Sequence, residues 1–298
     1  MRKALLAAVL ALFWLWVVLL EEVACAEIDA QPNQGTIGTW WWDSTTLRNE
    51  ETVEQRLAFL QENKVNEIYL CAGPTNNKTV LRSFIQRCNE MGIRVACLSG
   101  DTSWIEPDHQ GFDRWYRWFC DFQEQSSANQ KFYGIHLDVE PYQAARYALD
   151  EQACWNQYAD FVARVAEQAH RDGITLELDI PFWLDEISVG NEQQQESLLL
   201  FLAERVDTLC IMSYRDTASA MFDLVTAELQ AASCHPVKLI LGAETLSNEG
   251  DYVSYQEEGK AYMREELTKL YHMMSQKELP SGWGIAIHSM ANWIALKE

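Results

Sequence analysis

Short apolar runs recur along the chain, and amphipathic stretches separate them. The runs are rich in β-branched and aromatic residues, which is typical of buried strands. They predict eight strands, at residues 36–42, 66–72, 93–99, 133–139, 174–182, 206–214, 237–244 and 282–290. Because strands alternate with helices, we expect parallel strands joined by right-handed crossovers.

The stretches between these runs carry apolar residues at helical spacing. They predict helices that include residues 51–62, 80–91, 155–171, 192–204, 222–232 and 259–274. Gly92 and Gly173 stand where helix C-caps are expected. Eight strand–helix units in about 260 residues are typical of an α/β (β/α)8 TIM barrel. A doubly wound sheet would instead need a glycine-rich first turn, and Trp40-Trp41-Trp42 stands there.

Alternate residues of a barrel strand point inward, so the face of each strand can be assigned from the sequence. In the fifth strand, Leu176 and Leu178 face the helices, which turns Glu177 and Asp179 inward. The inward set contains Glu67, Tyr69, Arg94, His136, Asp138, Glu140, Glu177, Asp179, Cys210, Met212, Tyr214, Glu244 and His288. Buried charges must form a satisfied network, and a surplus of acids predicts some carboxyls with raised pKa values.

Barrel active sites lie at the carboxyl ends of the strands. The candidates at or near these ends are Glu140, Asp179, Trp183, Tyr214, Asp216, Glu244 and His288. Carboxylates on opposing walls are what glycosidic bond cleavage requires. Trp42 and Trp183 can stack on sugar rings, and Asp43 can accept a hydrogen bond from a sugar hydroxyl. We therefore expect a poly- or oligosaccharide substrate.

The fourth strand carries the most specific motif. The segment Gly134-Ile-His-Leu-Asp138-Val-Glu140-Pro-Tyr142 resembles the fourth-strand signature of family 18 (chitinase-like) glycoside hydrolases, which ends in Asp-x-Glu. Met212-Ser213-Tyr214 is similar to the Met-x-Tyr of that family's sixth strand. The resemblance implies a glycosidase in which Glu140 is the proton donor, Asp138 orients it and Tyr214 contacts the reacting sugar.

The chain departs from this pattern at two positions. Tyr133 and His136 stand where the family has two further aspartates, so the resemblance does not extend to catalysis through the substrate's own N-acetyl group. Glu140-Pro141 together with Glu244 also resembles the paired glutamates of the large retaining-glycosidase clan. Whether Asp179 or Glu244 assists Glu140, by stabilising the transition state or by attacking the sugar, stays open.

The 298 residues include 23 Lys and Arg against 44 Asp and Glu, a formal charge of −21. This acidity excludes nucleic acid and anionic membrane surfaces as partners. No phosphate-binding loop, CxxC or HExxH motif is present, so no cofactor is expected. Two alternatives remain. One is a metal-dependent hydrolase or deacetylase with ligands among His136, Asp138, Glu140 and His288. The other is a non-catalytic carbohydrate-binding barrel.

The first 26 residues have the pattern of a secretory signal peptide. Arg2 and Lys3 precede the apolar run 4–20, and Ala24-Cys25-Ala26 follows as a small-x-small cleavage site. We expect an exported protein with one catalytic barrel domain at residues 27–298. The alternative is an uncleaved membrane anchor, for which the run is at the short limit.

Seven cysteines follow the expected cleavage site, and an odd number cannot pair fully. Cys71, Cys97 and Cys210 lie in strand-like runs and are expected to be small buried hydrophobes. One disulfide among the others is compatible with the sequence.

Overall fold

A computed structural model describes residues 35–191, 193–247, 250 and 252–298. The predicted signal peptide at residues 1–26 lies outside them. The strands are β1 (Thr36–Trp41), β2 (Glu67–Cys71), β3 (Arg94–Ser99), β4 (Gly134–Leu137), β5 (Thr175–Pro181), β6 (Ser188–Asn191), β7 (Gln194–Ser197), β8 (Thr208–Met212), β9 (Lys238–Glu244) and β10 (Trp283–His288). Eight of them close a parallel barrel in the order β1-β10-β9-β8-β5-β4-β3-β2. The predicted (β/α)8 TIM barrel is confirmed.

Helices surround the barrel and cover the apolar outer faces of its strands. They are α1 (Glu50–Glu62), α2 (Lys78–Glu90), α3 (Gln110–Glu124), α4 (Glu151–Arg171), α5 (Leu198–Ala203), α6 (Ala218–Leu224), α7 (Thr226–Cys234), α8 (Lys260–Ser275) and α9 (Met290–Ala295). Asn49, Asn77 and Asp150 begin three of them, and each side chain accepts a hydrogen bond from a first-turn amide. Among the described residues, no helix has the length and apolarity needed to span a bilayer.

Two helix predictions are partly wrong. Within residues 192–204, β7 forms an antiparallel hairpin with β6, and the helix begins only at Leu198. The polar segment before Leu198 has no apolar face to pack, whereas the apolar Leu198–Ala203 does. The predicted helix 222–232 breaks at Val225 into α6 and α7. There the Thr226 hydroxyl donates to the Asp223 carbonyl and competes with the helical backbone bonds.

The barrel interior has its own small cluster, separate from the core between strands and helices. Its buried members are Trp40, Tyr69, Ala96, Leu98, Cys210, Ile240 and Ala286. Tyr69 stacks on His136 with ring centroids 3.9 Å apart, which places both side chains inside as strand parity predicts. All seven cysteines of the described residues are free, with Cys97 and Cys210 buried and Cys71 half-buried.

Candidate active site

The amino end of the barrel holds a neutralised acid. Glu67 is buried and forms an ion pair with Arg94, and Lys238 Nζ lies 3.6 Å from its carboxylate. The Arg94 guanidinium also lies over the Tyr133 ring, 4.4 Å from its centroid. These charges lie at the opposite end from the strand carboxyl ends, so Glu67 and Arg94 support the barrel rather than the chemistry.

A buried histidine joins two carboxylates in the middle of the barrel. His136 Nδ1 lies 3.1 Å from Glu177 Oε2, and His136 Nε2 lies 2.9 Å from Asp179 Oδ1. Burial alone would lower the pKa of His136, but Asp179 and Glu177 outweigh it and raise the pKa to about 10. His136 is therefore a cation at neutral pH that lies between two carboxylates.

Among the described residues, one group of side chains could hold a metal ion, and it includes His136. Donor atoms of His136, Asp179 and Cys210 all lie within 4.8 Å of one another. An imidazole protonated on both nitrogens has no lone pair for a metal, so the ion pairs disfavour this use. The metal set considered from the sequence shares only His136 with this cluster.

Asp138 follows β4 directly and lies at the carboxyl end of the barrel. Its backbone N–H donates to the Ser99 carbonyl at 3.1 Å, which ties it to the end of β3. Burial, together with the charges of Asp179 and Glu140, raises the pKa of Asp138 to about 8. Asp138 therefore holds a proton at neutral pH.

Glu140 is half-buried two residues further along the chain. The Tyr142 hydroxyl and the Gln143 amide both donate to its carboxylate and fix its orientation. Burial raises the pKa of Glu140 above its ordinary value even though these donors oppose the shift. The expected raised carboxyl pKa values are thus found in the Asp-x-Glu motif.

Asp179 is buried at the centre of this group. The Trp40 indole N–H donates to its Oδ2 at 3.0 Å, and His136 faces its Oδ1. Its charge contributes to the raised pKa values of Asp138 and Glu140, although burial is the larger cause for both. Asp179 is therefore the carboxylate that interacts with Trp40 and His136 and also affects the pKa values of Asp138 and Glu140.

The wall formed by β9 and β10 carries a chain of polar contacts. Glu244 Oε1 accepts from the backbone amides of Thr245 and Leu246, both at 2.7 Å. His288 Nδ1 lies 3.0 Å from Glu244 Oε2, and the Trp42 indole donates to His288 Nε2 at 2.9 Å. Tyr214 lies alongside, with its ring stacked on His288 at 6.0 Å between centroids.

Three of the sequence candidates lie at the margin of this site. Asp43 is exposed and caps the short helix Ser44–Arg48, where its carboxylate accepts from the Thr45 amide at 3.0 Å. Trp183 packs edge-on against Tyr142, with centroids 5.3 Å apart, behind the partner of Glu140. The backbone N–H of Asp216 donates a hydrogen bond to the backbone carbonyl of Tyr252, in the loop after β9.

The structure brings together Trp42, Asp138, Glu140, Asp179, Tyr214, Glu244 and His288. Sequence reasoning missed the roles of Trp40, Tyr142, Gln143 and Lys238. Trp40 had a signal, because it lies two residues before the candidate Trp42 and so on the same face of an extended strand. Tyr142 and Gln143 are also within local reach of Glu140, whereas nothing in the sequence pairs Lys238 with Glu67.

A cavity of about 450 Å³ adjoins this group on the β2 and β3 side. Its lining includes Cys71, Asn76 and Ser99, and the Ser99 carbonyl is the acceptor for the Asp138 amide. Polar side chains and a nearby acid are compatible with a small hydroxylated ligand.

No family model matches the sequence, and no curated protein matches it. A chitinase from Bacteroides thetaiotaomicron has the same fold, with a TM-score of 0.58 and 10% identity over 87% of this chain and 91% of that chain. A GH18 chitinase from Cycas revoluta in complex with (GlcNAc)3 gives a TM-score of 0.54 and 12% identity over 88% and 96%.

A third solved structure is an active-site mutant of the Rhizomucor miehei beta-1,3-glucanosyltransferase in complex with laminaritriose. It gives a TM-score of 0.50 and 13% identity over 85% of this chain and 86% of that chain. The chain is a TIM barrel distantly similar in fold to chitinases and related glycosidases, so the resemblance noted in the sequence holds at the level of fold.

Proposed function

We propose that this protein hydrolyses glycosidic bonds and that Glu140 donates the proton to the leaving oxygen. The observation that carries the proposal is the position of Glu140, half-buried at the carboxyl end of β4 with a raised pKa. A general acid must hold its proton at the working pH and release it to the substrate, which a raised carboxyl pKa permits.

The neighbouring side chains support this role. Asp138 is protonated, so it adds no negative charge beside Glu140. The charge of Asp179 favours the protonated form of both Asp138 and Glu140. In our proposal Asp179, fixed by His136 and Trp40, supplies the negative charge that stabilises an oxocarbenium-like transition state. Tyr214 positions the sugar on the facing wall.

The proposed substrates are neutral oligosaccharides. Two of the solved structures of similar fold contain (GlcNAc)3 and laminaritriose, which makes chito- and laminari-oligosaccharides the first compounds to test. The charge of −21 disfavours polyanionic glycans. Action outside the cytoplasm is part of the proposal and rests on the pattern of residues 1–26.

The test compares Glu140→Gln with Glu62→Gln, an exposed glutamate on α1, on chitohexaose and laminarihexaose. We expect Glu140→Gln to lower kcat/KM by about 10²- to 10⁴-fold, because a poor leaving group needs the proton. On 2,4-dinitrophenyl glycosides of the same sugars the loss is small, since dinitrophenolate leaves without protonation. Glu62→Gln keeps full activity on both.

Three outcomes contradict the proposal. Full activity of Glu140→Gln on the hexasaccharides removes its role as the acid. Oligosaccharide binding with no turnover by the wild-type protein favours a carbohydrate-binding barrel. Loss of wild-type activity on treatment with EDTA favours a metal-dependent hydrolase.

A further inference from the structure

We propose that His288, oriented by Glu244, is the base that deprotonates the attacking water, so that hydrolysis inverts the anomeric configuration. This inference rests on the proposed function and adds the second catalytic group to it. It is carried by the contacts of the two imidazole nitrogens and by the positions of β4 and β10 in the barrel.

The contacts of His288 fix its tautomer. Glu244 Oε1 accepts two backbone amides at 2.7 Å, and its Oε2 lies 3.0 Å from His288 Nδ1, where it can accept a proton from that nitrogen. The Trp42 indole can only donate, and it lies 2.9 Å from Nε2. In the neutral ring Nε2 therefore carries the lone pair that a base requires. Burial opposes protonation of His288, but Glu244 outweighs it and raises the pKa of His288, which makes the neutral ring a stronger base.

The lone pair on Nε2 is on the solvent-exposed side of the His288–Glu244 pair. Glu244 is buried on the Nδ1 side, whereas the partner of Nε2 is Trp42, which is 39% exposed. A turn of the Trp42 side chain into solvent would leave Nε2 facing the mouth of the barrel. A water molecule could then replace the indole as its hydrogen-bond donor.

The ring of eight strands places this base opposite the acid. In the order β1-β10-β9-β8-β5-β4-β3-β2, four steps separate β10 from β4 in either direction. His288 ends β10, and Glu140 follows β4, so the two groups lie on facing walls. An inverting glycosidase needs an acid and a base on opposite faces of the sugar with a water between.

The other carboxylates are less suited to attack the sugar. Glu244 is 2% exposed, and its oxygens are already engaged by two amides and His288. Asp179 lies on β5, the neighbour of β4, and is held by Trp40 and His136. Both carboxylates are buried, so neither presents an exposed oxygen across the mouth from Glu140.

The step balances without a further reactant. The water oxygen forms a bond to the anomeric carbon while His288 Nε2 takes one of the water protons. The bond from that carbon to the leaving oxygen breaks, and the leaving oxygen takes the proton of Glu140. Glu140 ends as a carboxylate and His288 as an imidazolium, which lies beside Glu244. His288 then gives its extra proton to solvent and Glu140 takes one from solvent, which restores both groups.

The experiment uses the 2,4-dinitrophenyl glycosides of chitobiose and laminaribiose, whose departure needs no acid. We expect His288→Gln and Glu244→Gln to lower kcat/KM by about 10²-fold or more on these compounds, whereas Glu140→Gln lowers it little. His272→Gln, at an exposed position on α8, is the matched control and keeps wild-type rates. Circular dichroism checks that each variant is folded.

Two further readouts separate a base from a structural residue. Sodium azide, which attacks without losing a proton, should restore turnover to His288→Ala and give a glycosyl azide of inverted configuration. Proton NMR of the first wild-type product should show the inverted anomer. A retained anomer, or wild-type rates for His288→Gln, overturns this inference but leaves the role of Glu140 intact. Wild-type inactivity on every glycoside instead overturns the proposed function.

Discussion

At the scale of single residues, the position of Asp138 depends on a glycine of the neighbouring loop. Gly100 comes directly after β3, and a Cβ atom built on it would lie 1.6 Å from the Asp138 carbonyl oxygen. No side chain can occupy that space unless the backbone moves. The end of β4, which positions the Asp-x-Glu motif, can therefore approach β3 only because residue 100 is glycine.

Gly100→Ala should displace Asp138 and Glu140 together. We expect a loss of about 1–3 kcal/mol in the free energy of unfolding from this overpacking, and a fall in kcat/KM on chitohexaose. Urea unfolding and steady-state kinetics measure the two effects.

Gly73→Ala is the matched control, because Gly73 follows β2 closely, as Gly100 follows β3. A Cβ atom built on Gly73 would meet Trp115 at an ordinary 3.5 Å, so we expect stability to stay the same or rise by up to about 1 kcal/mol. Equal effects of the two substitutions would contradict the steric argument.

At the scale of elements, the barrel was predictable because every strand is buried on its outer face and bounded by turns. Each of the eight barrel strands was placed to within two residues at either end, and strand parity identified Glu177, Asp179 and His288 as inward. The hairpin of β6 and β7 was not predictable, because it depends on contacts with a distant helix. The Asn156 side chain accepts from the Gly190 amide at 3.0 Å and donates to the Gly190 carbonyl at 3.3 Å.

In the site, too, features that a local sequence pattern encodes were predicted, and features that depend on distant contacts were not. Glu140, Asp138 and Tyr214 were identified because a local motif contains them, and Trp42 because it lies at the end of a predicted strand. Asp43 has a helix-capping role in the structure, since a short acidic side chain readily binds the amides that follow it. The pairing of Lys238 with Glu67 is between distant residues, so no local pattern could indicate it.

Asn156→Ala tests whether this side chain holds the hairpin on α4. Loss of two hydrogen bonds to Gly190 should cost about 1–2 kcal/mol locally, so hairpin amides should exchange with deuterium roughly 5- to 30-fold faster. Barrel amides should keep their protection. Glu167→Ala, an exposed substitution on the same helix, should leave both sets unchanged. Equal acceleration in the barrel would show that the hairpin is not a separate unit.

At the scale of the whole molecule, the acid surplus has a consequence for stability. Several acids are buried where their proton is retained, and burial raises the pKa of Asp138 to about 8 and that of Glu228 to about 7. Carboxylate neighbours overcome the opposite effect of burial and raise the pKa of His136 to about 10. In each case the folded state binds the proton more tightly than the unfolded state.

A raised folded-state pKa gives stability that is complete below the unfolded value and is lost as the pH rises through the folded value. The three groups therefore act in the same direction, and the melting temperature should fall steadily between pH 5 and pH 10. Glu177 has a lowered pKa, because His136 outweighs the effect of its burial. Its contribution to stability is therefore lost only as the pH falls below the ordinary carboxyl range. Calorimetry across this range checks the direction, and a melting temperature that rises toward pH 9 contradicts it.

Glu228 isolates one part of this dependence. It is buried on α7, and no cationic side chain pairs with it among the residues that the structure describes. Glu228→Gln removes the charge but keeps the shape, so it should match the wild-type protein below about pH 4, where the carboxyl is protonated in both the folded and the unfolded state. Above that pH the variant should become the more stable one, by on the order of 3 kcal/mol once the pH exceeds about 7. Glu62→Gln should give no such trend, and a constant difference across pH would show that the Glu228 carboxylate is not destabilised by burial.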